Sequence, residues 1–128
     1  MLIAVAAIAA LVLGGAWYTG RLPGVATGQP SGAEFQYADL TPEEREMGKS
    51  AYTGVCARCH NNGRFDAPVL DETAEWQRRL DKRGRQTLHK HALHGFKRMP
   101  AKGGVEQLSD EQVGFAVEYM LREAGFPP

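Results

Sequence analysis

The pentapeptide Cys56-Ala57-Arg58-Cys59-His60 has the spacing C-x-x-C-H, and the reading of these five residues decides the fold. Two thiols three positions apart at the end of a helix can each add to a vinyl group of a haem, while the adjacent His turns under the ring to bind its iron. Cys56 and Cys59 are therefore the candidate attachment residues for one covalent haem c, and His60 is the candidate proximal ligand. Three other chemistries compete for the same residues. A zinc site needs more ligands, and the remaining histidines, His89, His91 and His94, come without a second Cys pair. A thioredoxin-like dithiol belongs beside a βαβ pattern, which is missing here. A plain disulfide leaves the adjacent His60 unexplained.

Working outward, Thr41-Pro42-Glu43-Glu44 is a helix start, with Thr41 as cap, Pro42 at the first position and Glu44 placed to complete a capping box. The spacing predicts a helix to about Ala57 with Met47, Ala51, Tyr52 and Val55 as its apolar face, delivering Cys56 at its end. Residues 61–71 are turn-rich. A short helix over 73–83 is expected to bury Trp76 and Leu80, and a second, over about 86–94, is stopped by Gly95. Ser109 caps a last helix to about Glu123, with the apolar stripe Val113, Ala116, Val117, Met120 and Leu121. No stretch alternates like a strand. The expected head is all-α, about four helices with the first and last packed together.

A haem so attached needs a sixth ligand or an open face. Met99 is the candidate: it lies in a loop between Lys97-Arg98 and Pro100, and a proline restricts the residue before it to extended conformations. Met47 and Met120 fall on apolar helix stripes, where core packing explains them. His89, His91 and His94 are the alternative distal ligands, and their polar and basic neighbours suit solvated surface positions.

Met1 to Thr19 contains no charged residue, and the first charge is Arg21. Twenty apolar residues make a helix of about 30 Å, enough to span a bilayer's hydrocarbon core once. Residues 1–20 read as a transmembrane anchor with Trp17 and Tyr18 at the interface, or else as a cleaved signal segment. Residues 21–32, rich in Gly and Pro, read as a linker, and residues 33–128 as the head. A head of that size excludes separate cofactor and substrate domains. With 15 Lys+Arg against 15 Asp+Glu, the balanced charge argues against a general nucleic-acid binder.

These residues resemble the cytochrome c5 family of class I monohaem c-type cytochromes. The resemblance covers about residues 41–121 and rests on Cys56 to His60, Asn62-Gly63, Ala67-Pro68, Trp76 with Arg79, Leu88 with His91-Ala92-Leu93, and Gly95-Phe96. It continues through Met99-Pro100-Ala101-Lys102-Gly103-Gly104, Leu108-Ser109-Asp110-Glu111 and Ala116 to Met120. It implies a class I cytochrome c fold, attachment by Cys56 and Cys59, and axial ligation by His60 and Met99. It also implies that the Pro68 carbonyl orients the proximal imidazole and that Trp76 and Arg79 lie near the haem propionates. The extra Cys pair of some family members is absent, with Val105 and Leu108 in that stretch, and the N-terminal anchor is not general to the family.

The function so implied is one-electron transfer without substrate binding, hence no enzyme activity. The expected partners are membrane redox complexes such as a quinol:cytochrome c oxidoreductase and a terminal oxidase or reaction centre. A fixed subunit of a larger complex, and a haem sensor or enzyme with an open iron face, stay open beside it. The expected location is a bacterial inner membrane, with the N-terminus cytoplasmic and the haem domain periplasmic. Charge is segregated: residues 76–102 carry nine Lys and Arg against Asp81 alone. Docking of that segment on an acidic surface, or plain solvation of its helix faces, both accommodate the pattern.

Overall fold

Thr41 opens the first helix of the computed structural model, which describes residues 39–128. Its hydroxyl accepts from the Glu44 N–H at 3.2 Å, and the Glu44 carboxylate accepts from the Thr41 N–H at 2.7 Å. This reciprocal box satisfies two donors that a helix start otherwise leaves bare. Helix α1 runs over Pro42–Ala51. The helical path then widens into one π-type turn, Tyr52–Cys56, where the Ala57 N–H reaches back to the Tyr52 carbonyl, and tightens again into α2, Ala57–His60. Residues 61–71 form turns, among them a tight one over Arg64–Asp66. Helices α3, Thr73–Arg83, and α4, Arg85–His94, are separated by Gly84, whose φ of 76° a residue with a side chain rarely adopts. A second tight turn, Ala101–Gly104, leads to α5, Asp110–Glu123, where Ser109 and Gln112 form a second capping box. The only extended pairing among the described residues is a single antiparallel bridge, Phe96 to Met99.

The core is built on α5, with Leu121 fully enclosed and Val113, Ala116, Val117 and Met120 buried beside it. Helix α1 crosses α5 so closely that Gly48 stands against the Phe115 carbonyl. This corrects the expected apolar face of the first helix in part: Ala51 and Tyr52 are buried as expected, but Met47 is 43% exposed and Gly48 is buried. A search for large apolar side chains misses a contact that requires their absence.

Helices α3, α4 and α5 and their ends lie within a residue or two of expectation, whereas the first helix, expected to run unbroken to about Ala57, ends as α-helix at Ala51 and continues through the π-type turn and α2 to His60. The anchor expected over residues 1–20 and the linker over 21–32 lie outside the described residues. Among those described, no helix is long and apolar enough to cross a membrane.

Glu75 pairs with two arginines within α3. Its carboxylate accepts from Arg78 at 2.6 Å and from Arg79 Nε at 2.7 Å, and the Arg78 guanidinium in particular draws its pKa down to about 2. A carboxyl lowered in this way stabilises the folded state above its ordinary pKa of about 4.3, and that stability is lost as pH falls toward 2. Acid titration of a Glu75→Gln variant against the parent should show a difference of no more than about 1 kcal/mol that vanishes toward pH 2, because the pair faces solvent.

Candidate functional site

The π-type turn sets the direction of the motif. Cys56 and Cys59, free and half-buried, project from successive turns onto one cleft, and His60 at the end of α2 is buried beneath them. The Tyr52 hydroxyl donates to the Asn61 side-chain carbonyl, bracing the helical segment that carries the motif. Burial pushes the Cys56 thiol pKa up, which keeps it protonated at neutral pH.

His60 is held by its neighbours. Its Nδ1–H donates to the Pro68 carbonyl at 2.9 Å, which leaves the lone pair of Nε2 available to a metal. Burial lowers the His60 pKa, the Pro68 carbonyl partly opposes this, and Arg79 lowers it further, so the ring is neutral at pH 7. The loop supplying that carbonyl is itself pinned: the Trp76 indole N–H donates to the Val69 carbonyl at 2.8 Å, and the Glu72 carboxylate accepts from the Val69 N–H at 3.0 Å. The Trp76 ring stacks on the imidazole at 6.3 Å between centroids. Trp76 therefore acts on His60 twice, through its ring and through the loop.

Met99 approaches from the other end of the chain. Phe96 and Met99 exchange both backbone hydrogen bonds at 2.9 Å, with Lys97 in a left-handed conformation between them. Gly95, with φ 85°, leaves little room for a Cβ: one would lie 3.1 Å from the Met99 carbonyl and 3.0 Å from the Ala101 nitrogen. The bridge thus fixes the backbone of Met99 while its half-buried side chain faces the cleft.

The cleft has a volume of about 650 Å³ and brings together Cys56, Cys59, His60, Pro68, Trp76, Arg79 and Met99. Leu88 and Ala92 of α4, with Val113, Val117 and Met120 of α5, give it apolar walls. Nine basic side chains line it against the one carboxylate of Asp66. Arg58 and Arg64 join this rim from outside the basic segment, whereas Arg85 and Lys90 do not line the cleft. Arg79 spans the edge, its Nε on Glu75 and its terminal nitrogen 3.2 Å from the Asp66 carbonyl.

The histidines are not all surface residues, as their polar neighbours suggested. His89 is 3% exposed and its Nε2 lies 2.7 Å from the buried Glu118 carboxylate, away from the cleft. Glu118 also accepts from Arg85 at 2.5 Å. His91 lines the cleft, stacked 3.9 Å from the Phe96 ring, and burial followed by the charges of Arg83 and Arg79 lowers its pKa. Only His94 is exposed. Among the described residues no three His, Cys, Asp or Glu side chains gather to hold a metal ion, so the zinc alternative finds no ligand set.

A haem c fits this site: two thiols, an imidazole nitrogen and a thioether share one apolar cleft large enough for a small-molecule cofactor. A family model described as cytochrome c oxidase, cbb3-type, subunit III matches residues 32–120. The chain belongs to the cytochrome c family. Cytochrome c-555 of Chlorobaculum tepidum is 38% identical to this cytochrome over 98 residues, 73% of this chain and 84% of that one. Cytochrome c5 of Azotobacter vinelandii is 32% identical over 74 residues, 57% of this chain and 89% of that one. A crystal structure of an electron-transfer complex of nitrite reductase with cytochrome c contains a chain that matches with a TM-score of 0.57 at 30% identity, covering 66% of this chain and 98% of that one. One covalently bound haem c goes with membership of this family, and Cys56 and Cys59 are the cytochrome's two cysteines.

Proposed function

We propose that this cytochrome is a one-electron carrier whose haem is attached through Cys56 and Cys59 and ligated by His60 and Met99. The observation that carries this reading is the meeting of those four side chains in a single cleft with apolar walls. Met120 also faces that cleft, but as part of the packed α5 stripe, whereas Met99 is presented by its own bridge. When bound, the haem supplies the one-electron change of its iron. The protein holds His60 neutral, with Nδ1 committed to Pro68 and Nε2 free to coordinate. The thioether of Met99 favours the softer ferrous ion, and the apolar walls disfavour added positive charge, so both raise the potential. Arg79 and its basic neighbours face the edge where haem propionates would lie.

Met99→Ala should leave the haem covalently attached, let the ferrous protein bind carbon monoxide, and lower the potential by on the order of 0.1 V. Met120→Leu should also keep the haem attached but neither admit carbon monoxide nor lower the potential. Ready binding of carbon monoxide by the unaltered ferrous protein would replace this reading with that of an open-faced sensor or enzyme.

Residues 1–20 are the proposed membrane anchor, residues 21–32 the linker and residues 33–128 the haem head, facing the periplasmic side of a bacterial inner membrane. The partners are membrane redox complexes with acidic docking surfaces. Extraction from membranes should then need detergent rather than high salt. The description of the matching family model as an oxidase subunit favours a second reading, a cytochrome fixed in a larger complex. Co-purification with other subunits in stoichiometric amounts after mild detergent extraction would select it.

A further inference from the structure

Phe65 is 55% exposed and lies at the lip of the cleft. Its φ is 57°, and that of the next residue, Asp66, is 63°. Two successive residues with side chains in the left-handed region are uncommon, and for a bulky Phe such a backbone is an outlier of the kind that collects at functional sites. Nothing in core packing accounts for it, because Phe65 lies outside the core cluster. The guanidinium carbons of Arg64 and Arg98 each lie 5.5 Å from the ring centre. Arg64 adjoins the Cys56–His60 segment and Arg98 adjoins Met99, so the ring bridges the two halves of the cleft mouth.

We infer that Phe65, flanked by Arg64 and Arg98, is the apolar anchor of the docking face and enters a carboxylate-ringed apolar recess on an acidic redox protein. The inference rests on the carrier reading and names the contact that reading lacks. Charge complementarity selects the partner's rim, since one carboxylate faces nine basic groups around the cleft. The ring selects the recess, because a desolvated aromatic at the centre of a contact contributes more to binding than the charges around it, which chiefly speed encounter. A lipid surface is the poorer occupant: membrane association of this kind uses a broad apolar helix face, and one ring offers little area.

The test uses the haem-loaded full chain in detergent, reduced, and follows its oxidation by ferricyanide and by detergent-solubilised native membranes. Phe65→Ala keeps a Cβ at the strained position, so its fold and haem spectrum should match the parent. Its oxidation by the solubilised membranes should be slower by about tenfold or more, with ferricyanide oxidation within about twofold of the parent, and Phe65→Leu should recover most of the loss. Equal rates for Phe65→Ala and the parent with solubilised membranes overturn the inference. So does a shift in the haem spectrum or potential with no change in partner rate, which would make the ring a wall of the cleft. A defect seen only with intact membranes would assign the ring to lipid. A parent chain that ferricyanide oxidises and membranes do not would overturn the carrier reading itself.

Discussion

Gly48→Ala should destabilise the haem-loaded protein by about 3 kcal/mol or more, a large share of what a domain of this size has available. A Cβ at Gly48 would overlap the Phe115 carbonyl oxygen, stand 2.7 Å from its carbon and 3.3 Å from the Ala116 nitrogen. All three are backbone atoms, so no side chain can swing aside, and α1 must lift away from α5. That movement opens the packing of α1 against α5. Gly54 is the control. A Cβ there meets nothing within 4 Å, and with no unusual φ at that position Gly54→Ala should be neutral or stabilise by up to about 1 kcal/mol. Guanidinium titration of both variants measures the difference, and equal midpoints would mean that the helix crossing does not depend on the missing side chain.

Glu118→Ala should cost about 3–5 kcal/mol, the effect of removing one member of a buried, hydrogen-bonded charge cluster. Glu118 is 2% exposed and accepts from Arg85 on one oxygen and from His89 on the other. Arg85 in turn donates to the carbonyls of Phe126 at 2.7 Å and Pro127 at 2.9 Å, so one guanidinium ties α5 and the end of the chain to the start of α4. Glu118→Gln keeps an acceptor for Arg85 and should lose roughly half as much. Because the cluster is buried, both losses should persist in high salt, unlike those of a surface pair. A cost below about 1 kcal/mol for Glu118→Ala would show that the cluster is solvated in solution.

What the sequence disclosed follows from the range of the forces involved. Thr41 with Glu44, and Ser109 at the start of α5, act within three residues, so the caps were legible, as was the Cys56–His60 spacing. Trp76 on the buried side of α3 follows from helical periodicity alone. The partners of Glu118 lie 29 and 33 residues away, and a glutamate in a sequence looks solvated until such partners are found. The same holds for His89, whose buried partner Glu118 is 29 residues away. Phe65 carried no local signal, since no pattern of neighbours announces a left-handed phenylalanine. Gly48 was legible in principle, as one of two small residues a helical turn apart on α1, but a count of apolar side chains gives it no weight.

The π-type turn between Tyr52 and Cys56 holds one more residue than a regular helical turn would, and that surplus sets the phase of everything after it. Each residue of a helix advances the azimuth by about 100°. Removing one of the four residues Tyr52 to Val55 would let α1 and α2 merge into a regular helix with the motif intact. Its two thiols and imidazole would then rotate by about that angle, away from the Pro68 carbonyl and the apolar walls. The pentapeptide is thus only half of the instruction, and the other half is a count: the number of residues separating it from the glycine where α1 meets α5.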